Sequence, residues 1–287
     1  MMAYPRMPDD WSEAALVVAH PDDEILWFSS CVESVSTIVI CFHEVLSKPH
    51  WTEGRDQSIE RFPLSNAIFL RLTQAEVFDA ARWPNPEHTE FGVRVSNKRG
   101  RSQEFSERLY EANFSALRNG LRKQLVGRKI VITHNPWGEY GHEEHIQVFR
   151  AVLSLKEEIG FEVWCSNYLS AKSQDLFLKW VPRLDPTFVR ASTNRAISEQ
   201  IKEIYSEHGC WTWFPDYQWP PDEAFFRIAV RDGLPQEGDR SEDMMKYGAV
   251  FPLNYILVKG PPPRAGIKKR TQRAFGRLRR FVRAFFG

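Results

Sequence analysis

The stretch LVVAHPDDEILWF, residues 16–28, changes from apolar to acidic within a few positions. Residues 16–19 form a short apolar run, and a histidine, a proline, two aspartates and a glutamate follow it directly. Adjacent carboxylates repel each other, so this crowding calls for a compensating cation. The stretch therefore predicts a buried strand that ends at a charged site.

Similar apolar runs recur along the chain and alternate with segments of helical periodicity. The predicted strands are residues 16–19, 36–43, 75–80, 129–134 and 161–165, and the predicted helices are residues 105–125, 143–160 and 197–208. Continuous apolar strands connected by helices favour a parallel sheet covered on both faces. We predict a Rossmann-like, doubly wound α/β fold with a mostly parallel sheet over residues 11–180. An irregular, aromatic-rich C-terminal part follows it.

Length and composition indicate a globular protein with one large domain. The chain has 287 residues, of which 43% are hydrophobic and 26% charged, close to the averages of globular domains. We predict a catalytic domain over residues 11–260 and a separate tail over residues 261–287. No apolar run approaches the ~18 residues that span a membrane, and the first residues lack the features of a signal peptide. A cytoplasmic location is the expectation.

The four cysteines are scattered and form no CxxC pair; they are Cys31, Cys41, Cys165 and Cys210. This spacing argues against a cysteine zinc site and against a disulfide framework. Buried, reduced thiols are the expectation.

Two polar segments follow predicted strands directly: AHPDDE at residues 19–24 and HNPWGEYGHEEH at residues 134–145. Each alone has an ordinary explanation, because PDDE suits a helix N-terminus and HEEH a solvated helix face. Both segments, however, fall at carboxyl ends of strands, where open parallel sheets bind ligands. The pair therefore predicts one shared site.

Histidine and carboxylate side chains in these two segments match the ligands of hydrolytic zinc sites, which use three protein ligands and leave one position open. His20, Asp23 and His145 satisfy that number. Their spacing leaves Asp22 free to act as a base. Glu24 either supports a ligand or begins the helix.

These residues resemble the LmbE-like or PIG-L family of metal-dependent deacetylases, which remove acetyl groups from N-acetylglucosamine units. The resemblance rests on AHPDDE followed by YGHEEH at residues 140–145, and extends more loosely to EQIKEIYSE and EAFFR near residues 199–227. It implies zinc ligation by His20, Asp23 and His145, with Asp22 as general base. It further implies the catalytic residues His142 and Tyr140, the tyrosine helping to hold the carbonyl oxygen.

The chain departs from the family pattern at two places. Glu143 and Glu144 stand where HPDH is common, and CFHEVLSKPHWTEGR (residues 41–55) replaces a glycine-rich segment that usually shapes the substrate pocket. The resemblance thus implies a zinc-dependent N-deacetylase acting on an N-acetylhexosamine glycoconjugate, and leaves the identity of the sugar open. Fe²⁺ or another divalent ion is an alternative to Zn²⁺.

Amide hydrolysis independently requires the groups that these segments contain. An acetamide needs an activated water, a stabilised oxyanion and a proton for the departing nitrogen. Asp22 can move that proton, a role worth about 10² to 10⁴ in rate. His142, one helical turn before His145, can stabilise the oxyanion or protonate the leaving group.

Further side chains are candidates for substrate binding. Arginine suits planar recognition of hydroxyls or phosphate, strand-end histidines can line the crevice, and aromatic rings can wall a sugar pocket. The candidates are Arg55, Arg61, His43, His134, Trp211, Trp213, Tyr217 and Trp219. A strand-end histidine is more often hydrogen-bonded to the backbone, and core packing explains the aromatic residues at least equally well.

Two other functions compete with hydrolysis. His20 and Asp22, with a distant histidine, match the facial triad of non-haem Fe(II) oxygenases, although those triads are familiar from antiparallel jelly rolls. A catalytically inactive glycan-binding module of the same fold is the second alternative. Both alternatives predict no acetate release.

The tail has a charge opposite to that of the rest of the chain. Residues 261–287 carry nine Lys or Arg and no acid, which leaves 29 basic against 37 acidic residues before them. Apolar residues recur at helical spacing from Ile267 to Phe286, so an amphipathic cationic helix is the expectation.

Such helices bind anionic membrane surfaces, and residues 264–287 predict peripheral attachment. A disordered tail or a packing arm is the alternative, and no nucleic acid is expected because the rest of the chain is acidic. The oligomeric state is not predicted.

Overall fold

Residues 11–96, 103–229 and 252–257 are described by the computed structural model and form six α-helices and eleven strands. The helices are α1 (Asp23–Leu26), α2 (Pro49–Glu60), α3 (Gln103–Leu125), α4 (Glu143–Ile159), α5 (Gln174–Trp180) and α6 (Arg195–Glu207). The strands are β1 (Ala15–Val18), β2 (Thr37–Glu44), β3 (Ala67–Thr73), β4 (His88–Thr89), β5 (Gly92–Val93), β6 (Ile130–Thr133), β7 (Glu162–Ser166), β8 (Tyr168–Ser170), β9 (Leu184–Ser192), β10 (Asp222–Ile228) and β11 (Asn254–Ile256). Short 3₁₀ turns cover Trp11–Glu13 and Val181–Arg183.

The main sheet has seven strands in the order β3-β2-β1-β6-β7-β10-β9. Its first five strands pair in parallel, while β10 runs antiparallel to both of its neighbours. The chain moves outward from β1 to β3 on one side and from β6 to β7 on the other. The fold is therefore the predicted α/β fold with a mostly parallel sheet.

The two faces of this sheet pack against different helices. Every residue of β1 is buried. Val17 packs in the same core cluster as side chains of α3, α4 and α5, whereas Leu16 and Val18 pack with α1 and α6. A strand that is buried on both faces carries apolar residues on both, without alternating polar positions. This explains the continuous apolar run in the sequence.

The predicted strand at residues 75–80 is wrong, because this segment is a loop and the third strand lies earlier, at β3. Ala75 and Val77 are buried in a small cluster, while Phe78 is half exposed. The N–H groups of Ala75, Asp79 and Ala81 donate to glutamate side chains instead of to a strand. Alternation alone cannot distinguish these partners.

The sheet also continues beyond the predicted limit near residue 180. β10 pairs with β7, and β9 pairs with β10 at the edge. The part of the chain between β9 and β10 contains α6 and the aromatic-rich loop. The predicted helices at residues 105–125, 143–160 and 197–208 are confirmed with small changes of boundary.

The chain divides into two compact units, Met1–Ile256 and Leu257–Gly287. The predicted cationic tail, residues 261–287, lies outside the described residues. Within the described part of the chain, no helix is both long enough and apolar enough to cross a bilayer. All four cysteines are buried and unpaired, as expected.

Candidate metal centre

The centre of the sheet brings the two polar segments together. β1 and β6 are neighbours, and the strand order reverses between them. In open α/β sheets the crevice at such a switch point is the usual ligand site. Residues 20–23 follow β1 and residues 134–145 follow β6, so both segments emerge at the same edge.

Three side-chain atoms from these segments lie at the spacing of metal ligands. Asp23 Oδ2 is 3.2 Å from His20 Nδ1 and 3.3 Å from His145 Nε2. Ligand atoms of a tetrahedral ion with bonds of ~2.0 to 2.1 Å lie about 3.3 Å apart. The two distances from Asp23 Oδ2 therefore match two edges of a zinc coordination sphere.

His145 is oriented by a buried carboxylate. Its Nδ1 donates to Glu139 Oε2 at 2.8 Å, and its Nε2 makes no hydrogen bond within the described structure. An unbonded nitrogen in a fully buried ring is costly, but carboxylate–histidine pairing of this kind is typical of metal ligands. The orphaned nitrogen fits a cation next to Asp23.

His20 lies between two carboxylates. Its Nε2 contacts Glu144 Oε2 at 3.0 Å, and its Nδ1 faces Asp23. Burial lowers the pKa of His20, but Asp23 and Glu144 outweigh burial and raise that pKa to about 9. The surroundings therefore favour positive charge at this point, as the crowded carboxylates of the sequence indicated.

Two sets of side chains in the described structure offer ligand atoms that all lie within 4.8 Å of one another. One set is Asp23, His134 and His145, and the other is His20, His142 and His145. His134 Nε2, however, accepts a hydrogen bond of 2.8 Å from the N–H of Ala19, and its Nδ1 lies 3.1 Å from Glu139 Oε2. Both nitrogens of His134 are thus engaged. Its contact with the backbone is the alternative to substrate binding that the sequence offered for a histidine at the end of a strand.

Asp22 lines the same cavity as His20 and Asp23, and its carboxylate is bound by Thr212. Its φ of 98° lies in the left-handed region, where a residue other than glycine is strained. Its Oδ2 accepts hydrogen bonds from the Thr212 hydroxyl at 2.5 Å and the Thr212 N–H at 3.2 Å. Burial, reinforced by Asp23, raises the pKa of Asp22 to about 7. The turn thus separates two adjacent aspartates into different environments.

His142 is the N-cap of α4. Its Nδ1 accepts from the N–H of Glu144 at 3.2 Å, so its proton is on Nε2 when the ring is neutral. Burial, reinforced by His145 and His20, holds the pKa of His142 well below its usual value. The ring stacks on His145 with centroids 4.6 Å apart. His142 is therefore a neutral hydrogen-bond donor beside the ligand atoms.

A cavity of about 460 Å³ opens over these side chains. His20, Asp22, Asp23 and His142 contribute to its lining, and so do four aromatic side chains together with Arg55. The aromatic side chains are Trp51, Phe78, Tyr140 and Trp213. Within the described part of the chain the hydroxyl of Tyr140 makes no hydrogen bond, and its ring lies 5.5 Å from that of His145. The cavity thus combines polar groups at its base with aromatic walls.

Several predicted substrate-binding residues are not among the side chains that line this cavity. Arg61 pairs with Glu207 on the surface, and His43 lies 3.1 Å from Asp56 Oδ1. Trp211 donates from its indole to the carbonyl of Phe214. Tyr217 and Trp219 also lie outside the lining, and Trp219 is buried. Arg55 and Trp213 are the members of the predicted set that reach the cavity.

Three functional side chains were not identified from the sequence. Glu139 holds His134 and His145, Glu144 holds His20, and Thr212 binds Asp22. Burial raises the pKa of Glu139, but the two imidazoles outweigh it and hold that pKa at about 2. Glutamates close to metal-binding histidines were a usable signal, since such histidines pair with carboxylates. Thr212 gave none.

The fold and the site define a doubly wound α/β protein with a histidine–carboxylate cluster at its switch point. No protein-family model matches the chain. The protein L374 of Acanthamoeba polyphaga mimivirus, described as uncharacterized, is 23% identical over 202 residues, which are 69% of this chain and 78% of that protein.

Solved structures of deacetylases are similar in fold. The zinc-inhibited form of teicoplanin deacetylase Orf2 matches with a TM-score of 0.47 at 13% identity and covers 77% of this chain and 100% of its own. The A40926 pseudoaglycone deacetylase Dbv21 matches with a TM-score of 0.49 at 11% identity and covers 78% of this chain and 100% of its own. Values this low do not assign a function, so function is inferred from the site.

Proposed function

We propose that this protein is a metal-dependent hydrolase that removes the N-acetyl group from an N-acetylhexosamine-containing substrate. The observation that carries the proposal is the buried Nε2 of His145, which makes no hydrogen bond within the described structure and lies 3.3 Å from Asp23 Oδ2. Asp23 lines an open cavity. The resemblance of AHPDDE and YGHEEH to the LmbE-like family supports the same reaction. The cavity has room for a sugar.

His20, Asp23 and His145 would hold the ion. Two imidazoles and one carboxylate suit Zn²⁺, and they also accept Fe²⁺ or other divalent ions. A bound zinc ion supplies Lewis acidity, polarising a carbonyl and lowering the pKa of its water to about 7. Glu139 and Glu144 contact the other nitrogen of each imidazole, and the remaining nitrogens both lie within 3.3 Å of Asp23 Oδ2.

Asp22 and His142 would perform the proton transfers. Asp22 takes a proton from the attacking water and delivers it to the departing nitrogen, while its bonds from Thr212 hold the carboxylate in place. His142 donates from Nε2 to the developing oxyanion, because its Nδ1 is engaged by the helix backbone. Tyr140, with a free hydroxyl at the cavity, is a second donor to that oxygen.

The geometry favours this assignment over the two alternatives. A facial triad through His20 and Asp22 requires Asp22 to face the imidazoles, whereas its carboxylate faces Thr212. An inactive binding module has no need of an oriented ligand set next to a strained aspartate. Asp23, placed between His20 and His145, supports the hydrolytic arrangement.

The test is metal-dependent acetate release. Protein stripped by a chelator and reloaded with Zn²⁺ or Fe²⁺ should release equal amounts of acetate and free amine from a panel of N-acetylglucosamine conjugates. The panel includes free, nucleotide-linked and lipid-linked sugars. Turnover that requires oxygen and releases no acetate would support the oxygenase, and sugar binding without turnover would support the binding module.

Glu139→Gln should weaken metal binding by about 10- to 100-fold, the usual cost of losing a partner behind a ligand. A neutral amide can accept on one oxygen only, so it cannot serve His145 and Ser166 as the carboxylate does. Zinc affinity is measured by competition with a chromophoric chelator on protein shown to be folded by circular dichroism. Glu53→Gln, on an exposed face of α2, is the control; equal affinities for both variants would contradict the role.

From the sequence of residues 264–287 we also propose peripheral attachment to anionic membranes. Nine basic residues, each worth about 1 kcal/mol near such a surface, should make the full chain sediment with anionic liposomes. A version ending at Gly260 should remain in the supernatant. Equal sedimentation of both versions, or no preference for anionic over neutral lipid, would refute this proposal and leave the proposed reaction unaffected.

A further inference from the structure

One wall of the cavity is formed by residues 74–83, which we call the wall segment. It follows β3 and has two faces. Ala75 and Val77 are buried away from the cavity, whereas Gln74, Glu76 and Phe78 line it. The segment therefore presents alternate side chains to a substrate without being a strand.

Glu143 anchors the wall segment. Its Oε2 accepts from the N–H of Asp79 at 3.0 Å, and its Oε1 accepts from the N–H of Ala81 at 2.8 Å and from Trp83 Nε1 at 2.9 Å. The carboxylate is fully buried. Three hydrogen bonds to one buried carboxylate hold a segment firmly, because charge-assisted bonds are about twice as strong as neutral ones.

The anchored segment contains two residues with positive φ, Glu76 at 55° and Asp79 at 61°. Such conformations persist only where the surroundings determine them. Lys172 adds a second contact, since its Nζ lies 3.4 Å from Asp79 Oδ1 and 4.5 Å from the centre of the Phe78 ring. The position of Phe78 is thus set by contacts made on both sides of it.

Phe78 presents an exposed ring next to the proposed catalytic groups. Half of its surface is exposed, and the side chain lines the cavity. Its ring centre lies 5.0 Å from that of His142 and 5.7 Å from that of Tyr140. A pyranose stacked on this ring by its C–H face would have its acetamido group close to His142.

We propose that Glu143 is a positioning residue that sets sugar recognition by fixing the wall segment, with Phe78 as the platform for the sugar ring. The proposal deepens the proposed function and rests on it for the identity of the substrate. The side chain of Glu143 does not line the cavity, and the wall segment donates three hydrogen bonds to it.

Glu143→Gln should raise KM for N-acetylglucosamine substrates on the order of tenfold and leave kcat within about twofold, because uniform binding is lost without loss of transition-state contacts. The amide oxygen can still serve Ala81 and Trp83, but its NH₂ group faces the N–H of Asp79. Phe78→Ala should give a similar increase. The KM of the double variant should not exceed the KM of either single variant by more than about twofold, since the effects of coupled residues are not additive.

Glu157→Gln is the matched control, because Glu157 is exposed on the same helix, α4. Hydrogen exchange provides a readout that does not depend on catalysis. The amides of Asp79 and Ala81 should exchange faster in Glu143→Gln than in the control, while amides of β1 remain protected. The dissociation constant for free N-acetylglucosamine, measured by calorimetry, should rise with KM.

The outcomes separate this proposal from the proposed function. Wild-type protein that binds N-acetylglucosamine but never releases acetate contradicts the hydrolase, while the effect of Glu143→Gln on binding still decides the role of the wall segment. A lower kcat at unchanged KM, or unchanged exchange at Asp79 and Ala81, would overturn the positioning role. So would wild-type protein that binds no N-acetyl sugar.

Discussion

Asp22→Asn should lower kcat for N-acetyl hydrolysis by about 10²- to 10⁴-fold, the range that general acid–base groups contribute. Asparagine keeps an oxygen that can accept from Thr212 and tolerates the left-handed backbone at this position. It cannot take up a proton. The change therefore removes the proposed base with little effect on the fold or on the ligand atoms.

Two measurements accompany that kinetic result. Bound zinc, determined by elemental analysis, should stay close to one per chain because Asp22 is not one of the proposed ligands. Asp216→Asn, an exposed aspartate outside the cavity lining, should leave kcat unchanged. If Asp22→Asn hydrolyses the substrate as fast as wild type, another group is the base.

His145→Ala should remove metal binding and activity together. Loss of a direct ligand should weaken zinc binding by more than ~100-fold, beyond the effect of losing a supporting partner. Alanine also leaves Glu139 without one of its imidazole partners in a buried site, and this lowers stability. His145→Gln, which can still contact Glu139, separates the two effects because it should fold well and still fail to hold zinc.

The control for this pair is His50→Ala, since His50 is exposed at the start of α2. Zinc content after dialysis and acetate release are measured on all four proteins. His145→Gln that retains stoichiometric zinc with wild-type affinity would show that the ion is held by another set, such as one that includes His142 and His20.

The local sequence was sufficient to predict those site residues that directly follow a strand. β1 and β6 are buried on both faces, so their apolar runs were visible, and the polar residues after them had to meet at one edge. His20, Asp23 and His145 do lie together. Their relative placement depends on strand order alone, which the alternation of strands and helices indicates.

The rest of the site depends on contacts between distant parts of the chain. Thr212 reaches Asp22 across 190 positions, and nothing near Thr212 distinguishes it from other loop hydroxyls. The wall segment has the burial pattern of a strand, but its N–H groups bind Glu143 and Glu144. Burial patterns report which side chains face the core and not what the backbone bonds to, so this prediction failed.

The account depends above all on one ion held by His20, Asp23 and His145. Anomalous diffraction at the zinc edge, from crystals of zinc-loaded protein, locates that ion directly. We expect a single strong peak within ~2.0 to 2.2 Å of His20 Nδ1, Asp23 Oδ2 and His145 Nε2. A peak bound instead by His142 or His134, or no peak in the cavity at full zinc loading, would contradict the account.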